Sequence, residues 1–374
     1  MGFSSPIPLL SFSRIAARDL AQRSGHAHDA DAAMTAAIDW LCRAHDVTGD
    51  GGVSYGYSLR GGWRPSYIET TGYITNTFFN LAHELGRTEY RERAIRMARW
   101  LTGVQNPDGS FGNPSIGVRK GIVFDTGQDL FGLVRGNQET EERALLGAAR
   151  RAGRWLVDIA DASGRWTRST HNGIPHVYNT RTAWALLELH RLEPDPEYER
   201  VARANLDWGV SCQQRSGFFD ECAFERGVAP FTHTIAYAIR GLWESSRLVA
   251  EPSWERAAIR GAEAMLSALQ PDGFLPGEIE PSGRATARYC CLTGNCQIAI
   301  VWSKLYVVTG EPRWRDGAVR ALRYVMRVQD LLTTDADTRG AIKGSHPIWG
   351  GYSPFTYPNW ATKFFVDALL LARG

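Results

Sequence analysis

A threonine that opens an apolar, helix-periodic run recurs along this chain. It appears in Glu69-Thr70-Thr71-Gly72-Tyr73, Phe124-Asp125-Thr126-Gly127-Gln128, Tyr178-Asn179-Thr180-Arg181-Thr182, Phe231-Thr232-His233-Thr234-Ile235 and Cys291-Leu292-Thr293-Gly294-Asn295. A degenerate sixth copy is Tyr357-Pro358-Asn359-Trp360-Ala361. The key positions are Thr71, Thr126, Thr180, Thr234, Thr293 and Trp360, at intervals of 55, 54, 54, 59 and 67 residues. A unit of this size cannot bury its apolar face alone and has to stack on its own copies.

Helical periodicity covers about 32–45, 69–85, 90–105, 124–134, 141–158, 179–192, 198–213, 233–248, 254–270, 293–309, 314–329 and 359–372. Short polar turns alternate with long loops rich in Gly, Asp and Pro, such as Asn106-Pro107-Asp108-Gly109. Consecutive helices therefore run antiparallel, with short turns at one end and long loops at the other. The last helix is the natural inner partner of 32–45, which closes a ring. The expected fold is all-α: an (α/α)6 toroid of about twelve helices in inner and outer rings. The expected organisation is an N-terminal arm, 1–31, and a single toroid domain, 32–374. The six inner helices begin after the long loops, so their N-termini converge on one cup. Their unpaired N–H groups and partial positive charges favour an anionic ligand there.

Composition narrows the function classes. Of 374 residues, 44% are hydrophobic, enough for a large core. A net charge of +2 gives no electrostatic footprint for nucleic acid. No apolar run reaches the roughly 18 residues that span a membrane. The apolar patch Pro6–Leu10 lacks a preceding cationic segment, so no signal peptide is expected. A cytoplasmic protein with reduced thiols follows. The six cysteines form no Cys-x-x-Cys pair, and Cys290, Cys291 and Cys296 read as small buried residues. No metal or other cofactor is expected, and nothing points to a particular oligomeric state.

A second element recurs more loosely: Gln105…Gly109-Ser110-Phe111, Gln213…Gly217-Phe218-Phe219 and Gln270…Gly273-Phe274. It resembles the repeat of the squalene–hopene cyclase and prenyltransferase toroids. Those cyclases use an Asp-x-Asp-Asp acid, whereas Asp335-Ala336-Asp337-Thr338 lacks the final Asp. Prenyltransferases hold zinc through Asp, Cys and His. Tyr289-Cys290-Cys291-Leu292-Thr293-Gly294 resembles their Cys-rich stretch but has no flanking His. The polar cup is similar to that of carbohydrate-active toroids: polysaccharide lyases, uronate epimerases and glycoside hydrolases.

Candidate site residues come from the inner helix starts and the long loops. His233 opens a helix, where the dipole keeps imidazole neutral and competent as a base. Tyr178 and Tyr289 are candidate phenolic acids or bases, and Asp125 is a candidate acid. Glu69, Asn179, Arg181, Tyr237, Asn295, His346, Tyr357, Asn359, Trp166 and Trp360 are candidate substrate contacts. Tyr73, Gln128, Asp129, His176, Lys343 and Tyr352 belong to the wider cup-facing set. Aromatic walls suit the C–H faces of sugar rings. A base with Arg and amide groups suits proton abstraction beside a uronate carboxylate. The expected activity is thus C5-epimerase or lyase chemistry on an acidic, uronate-containing glycan. The alternatives are a glycoside hydrolase with two carboxylates among Glu69, Asp125, Asp129, Asp220, Glu221 and Glu278, a terpenoid cyclase, or a non-catalytic glycan-binding toroid.

Overall fold

A computed structural model describes residues 9–23 and 25–373. Thirteen α-helices are present among the described residues. They are α1 Leu9–Arg23, α2 Ala30–Asp46, α3 Ile68–Leu85, α4 Thr88–Val104, α5 Val123–Thr140, α6 Arg143–Ile159, α7 Thr180–Leu192, α8 Pro196–Ser211, α9 Thr232–Val249, α10 Pro252–Ala268, α11 Leu292–Thr309, α12 Pro312–Val328 and α13 Asn359–Arg373. Helices α3, α5, α7, α9, α11 and α13 pack side by side in that order, and α13 returns to α3. The remaining helices from α2 to α12 pack outside them, so the molecule is the expected (α/α)6 toroid.

The inner helices approach so closely that side chains are excluded at their contacts. A Cβ at Gly72 would collide with Asp129 of α5, and one at Gly127 with Thr182 of α7. Gly241 lies against Thr180 in the same way, and Gly294 against Thr232. These glycines sit inside helices, where glycine costs roughly 1 kcal/mol of propensity. The close approach explains their presence. Gly136 is another case: it looks like a turn residue, yet α5 continues through it, because a Cβ there would crowd Ala98 and Leu145.

In three of the units a threonine near the helix start receives the long loop that precedes its helix. Thr71 Oγ1 accepts a hydrogen bond from Val53 N at 3.0 Å, and Thr126 Oγ1 accepts one from Phe111 N at 3.0 Å. In the sixth unit Thr362 Oγ1 takes Ile342 N at 3.0 Å. The sixth copy is therefore centred on Thr362, not on Trp360, because the job requires a hydroxyl.

Two glutamines of the second element, Gln105 and Gln213, and a third glutamine, Gln329, clamp the outer ring. Gln105 Nε2 donates to Gly109 O (2.8 Å) and to Ala148 O of α6 (2.9 Å). Gln213 Nε2 does the same with Gly217 O and Ala257 O of α10, both at 2.9 Å. Gln329 Nε2 reaches Gly340 O at 2.7 Å and Ala33 O of α2 at 3.1 Å, joining the last unit to the first. Two short strands complete the closure: β1 Gly56–Ser58 pairs with Thr356–Pro358, here called β5. Between them in sequence lie β2 Gly62–Trp63, β3 Cys290–Cys291 and β4 Ser345–His346.

Residues 1–8 of the expected arm lie outside the described residues. The rest of it carries α1, which is tied to the last long loop. Asp19 is fully buried; its Oδ1 accepts from Lys343 Nζ at 2.8 Å and its Oδ2 from Ile348 N at 2.6 Å.

Gln329→Leu keeps the volume of a buried residue but leaves two buried carbonyls without their donor. The expected loss is about 2 kcal/mol of stability by urea denaturation, since each orphaned buried group costs about 1–3 kcal/mol. An unchanged midpoint would mean that the clamp does not hold the ring closed.

Candidate active site

A cavity of about 210 Å³ opens at the end of the barrel where the inner helices begin. Its lining comes from four inner helices and four loops. Helix α3 supplies Glu69 and Tyr73, α5 supplies Phe124, α9 supplies His233, Thr234 and Tyr237, and α13 supplies Trp360. The loops add Tyr55 and Tyr67, His171 and Tyr178, Phe224, and Tyr352 with Ser353. The walls are mutually braced rings: Tyr55 meets Trp360 edge-on at 4.8 Å, and Phe124 meets Tyr178 edge-on at 5.2 Å. Tyr352 and His233 have ring centroids 4.4 Å apart, and Trp360 Nε1 donates to Tyr352 Oη at 2.7 Å. Among the described residues no Arg or Lys lines the cavity. Arg64 stacks on Tyr55 at 4.1 Å and is half-buried.

Glu69 is buried in this lining, and its carboxyl is held well above the usual range. Burial is the main cause and the nearby Asp125 the second; Tyr67 and Arg181 oppose them. Glu69 is the second residue of α3, where the helix dipole favours the carboxylate by roughly 0.3–1 kcal/mol. Desolvation and a like charge act the other way and are the larger effects here. The convergent helix starts thus do not make this an anion cup. Asp125 lies one contact behind the wall. It accepts a hydrogen bond from Asn113 Nδ2, and His171 Nε2 stands 3.6 Å from its Oδ1. His171 Nδ1 is 2.9 Å from Tyr178 Oη. Asp129, one turn along α5, is also pushed well up, by burial and then by Asp125 and Glu69. It packs on Gly72 and does not line the cavity.

His233 is pushed down to about 3, by burial first and then by His171. Its imidazole is therefore neutral, as expected, although burial is the cause found and not the helix dipole. Its Nδ1 is buried without a hydrogen-bond partner.

Of the sequence candidates, the structure gathers Glu69, Tyr178, His233, Tyr237 and Trp360 around the cavity, with Tyr73 and Tyr352 from the wider set. Asp125 touches it through His171. The others point elsewhere. Arg181 Nε donates to Gln128 Oε1 at 2.6 Å, beneath the cavity floor. Asn295 Nδ2 donates to Gly273 O, and Asn359 Nδ2 to Ser54 O and Thr70 Oγ1. Trp166 Nε1 donates to Leu156 O in the core. His346 lies in the Lys343–Asp19 cluster, and Tyr357 is in β5. Tyr289 donates to Glu278 Oε1 at 2.5 Å and packs on Gly277 and Gly351, outside the lining. Asn179 ends a 3₁₀ turn before α7 and lines nothing here. Tyr55, Tyr67, Phe124, His171 and Phe224 escaped the sequence candidates. Four of them sit on aperiodic loops, and the density of aromatics between residues 49 and 67 was the one available signal. Among the described residues, no cluster of three His, Cys, Asp or Glu side chains could hold a metal ion. No helix among them is long and apolar enough to cross a membrane.

No protein-family model and no curated protein sequence matches the chain. Solved structures do resemble it over most of its length. One is an unsaturated glucuronyl hydrolase from Bacillus sp. GL1, responsible for the degradation of glycosaminoglycan: 18% identity, TM-score 0.71, covering 91% of this chain and 96% of that one. Another is a cellobiose 2-epimerase from Bacillus thermoamylovorans: 13% identity, TM-score 0.69, covering 96% and 99%. A third is a D-mannose isomerase: 11% identity, TM-score 0.67, covering 98% and 99%. At these identities the likeness concerns the fold.

Glu69→Gln removes a carboxyl whose proton the folded chain holds more tightly than the unfolded one. The unfolded chain releases that proton above about pH 4.3. The folded chain holds it longer, so wild-type stability declines as pH rises from there toward the raised folded value. The Gln variant escapes this decline. Its melting temperature should exceed wild type by about 2 °C at pH 7 and match it near pH 4. A lower melting temperature at pH 7 would contradict the burial of a neutral Glu69.

Proposed function

We propose that this toroid is a carbohydrate-active enzyme that hydrolyses a terminal linkage of a short acidic saccharide. Glu69 is the proton donor, and Asp125 is the companion carboxylate. The observation that carries this is Glu69 buried in the lining of an aromatic cavity, its carboxyl raised by burial and then by Asp125 behind the wall. Two carboxyls in one desolvated field do not both ionise readily, so the one that lines the cavity holds its proton more tightly. A protonated Glu69 facing a sugar ring is placed to protonate a departing glycosidic oxygen.

The sign of the developing charge decides between reaction classes. Glycoside cleavage passes through an oxocarbenium-like transition state, which is cationic. Asp125 and the faces of the surrounding rings stabilise a cation. Proton abstraction at C5 builds an anionic enediolate, which needs donors or cations. Arg181, Asn179 and Asn359 were the groups suited to that task, and none of them lines the cavity. The volume, below the roughly 300–1,000 Å³ of drug-sized sites, suits a terminal sugar better than a chain passing through. Arg64, held against Tyr55 beside the cavity, supports a carboxylate on that sugar. The unsaturated glucuronyl hydrolase among the structural relatives supports the same substrate class.

A second reading is epimerisation, with His233 as base. It is favoured by the neutral imidazole whose buried Nδ1 lacks a partner, and by the sugar epimerase and isomerase among the relatives.

The test is a panel of unsaturated and saturated uronyl disaccharides, cellobiose and mannose, incubated in deuterated water and followed by NMR. Hydrolysis predicts released sugars. Glu69→Gln should lower kcat by about 10²–10⁴, the usual worth of a general acid, and His233→Phe should cost far less. Deuterium at a ring carbon of an uncleaved sugar, abolished by His233→Phe, would replace this reading with the epimerase one.

A further inference from the structure

The toroid has a second cavity, of about 300 Å³, on the far side of the floor beneath the cup. Tyr73 lines both spaces, and Tyr237 and Phe364 stand beside it under the rings that hold Arg181. All six inner helices contribute to the second cavity, and its charged lining is not balanced. Glu244 serves two cations at once, Lys304 at 3.0 Å and Arg240 at 3.3 Å. Lys363 is matched by Asp367 at 2.5 Å. At the mouth, Arg135 is matched by Glu139 and Arg191 by Glu188. Among the described residues Arg181 pairs with no carboxylate and has one polar partner, the neutral Gln128. The lining therefore carries a surplus of two positive charges, one shared out around Glu244 and one on Arg181.

Two guanidinium nitrogens, Arg181 Nη1 and Arg240 Nη1, are buried with no hydrogen-bond partner. Arg181 is 2% exposed. Such donors cost free energy unless something accepts from them. Neutralising helix C-termini does not account for these cations, because that effect fades within the last turn. Arg181 is the second residue of α7, Lys363 the fifth of α13, and Arg240 is mid-way along α9. Mutual repulsion is evident too. Arg181 is pushed down to about 10, by burial and then by Arg240. Lys363 is pushed down to about 7 by burial, with Arg181 and Arg240 adding to it and Asp367 opposing.

We propose that this cavity is a binding site for a small doubly charged oxyanion, a phosphate or sulfate group, seated between Arg181, Arg240, Lys304 and Lys363. A planar guanidinium and an ammonium together are the donor set that suits such a group. The site is separate from the cup, so its occupancy is testable without any sugar turnover.

The experiment is calorimetric titration of the full chain with inorganic phosphate, sulfate and glucose 6-phosphate, in chloride buffer at constant ionic strength on the order of 0.1 M. Saturable binding of one anion per chain is expected. Arg240→Gln and Lys304→Gln should each weaken it about tenfold or more, and Glu69→Gln in the cup should leave it unchanged. Tighter binding of glucose 6-phosphate than of phosphate would assign the site to a phosphorylated sugar; equal binding would assign it to the free ion. Trp184 lies 5.3 Å from the Arg181 guanidinium and 5.4 Å from that of Arg240, and it gives an independent readout. Phosphate should change the tryptophan fluorescence of the wild type, and Trp184→Phe should abolish that change while the heat of binding persists. Heats that never saturate, or binding of equal strength in both charge variants, would overturn the proposal. So would a fluorescence change that survives Trp184→Phe.

Discussion

The contact between neighbouring inner helices governs this molecule. Glycine at Gly72, Gly127, Gly241 and Gly294 lets α3, α5, α7, α9 and α11 pack closely, each on the next. Six helices packed so tightly leave no open bore. What remains is a small space above a floor containing Tyr73 and Tyr237 and another below it. The same proximity forces ionisable groups together. Asp129 packs on Gly72 of α3 and is raised by burial and then by Asp125 and Glu69, while Glu69 is raised by burial and then by Asp125. Apolar burial throughout the core stabilises the ring, and these desolvated carboxyls oppose it. Raising the proton affinity of Glu69 is how the fold tolerates the arrangement, and an acid that holds its proton more tightly facing a cavity is the chemical consequence.

The electrostatics of the two ends follow from what each end collects. Helix starts offer partial positive charge, yet the cup is governed by acids and rings, because whole buried charges outweigh half-charges at helix termini. Arg181 sits below the floor, where it lowers the Glu69 proton affinity from a distance and does not contact the cup lining through a hydrogen bond. The cations that a uronate enediolate would require are thus gathered on the wrong side of the floor. This favours a reaction that develops positive charge in the cup.

The architecture was legible because it repeats. Threonine and glutamine recur for jobs that several units share: Thr71, Thr126 and Thr362 receive a loop, and Gln105, Gln213 and Gln329 grip the next outer helix. The sixth threonine was misplaced by two residues because Trp360 occupies the position where the motif's spelling is most degenerate. The site was only partly legible. Helical phase cannot say whether a residue in the first turn faces the barrel axis or its neighbour, so Asn179, Arg181, Asn295 and Asn359 looked like cup residues. Asn295 and Asn359 instead bond to loop backbone. Loops carry no period at all, which hid His171, Phe224 and Tyr55. Both Glu69 and Asp125 were among the candidate carboxylates, but singling them out needed three dimensions, since 56 residues separate them.

The protonation of Glu69 at neutral pH is the point on which the account turns, and infrared difference spectroscopy measures it directly. Wild type minus Glu69→Gln should show the carbonyl stretch of a protonated carboxylic acid at pH 7. Repeating the subtraction in an Asp125→Asn background should shift the loss of that band to lower pH, because the repelling charge is gone. A carboxylate signal alone at pH 7, unchanged by Asp125→Asn, would mean that Glu69 is ionised and uncoupled, and the proposed acid would have no proton to give.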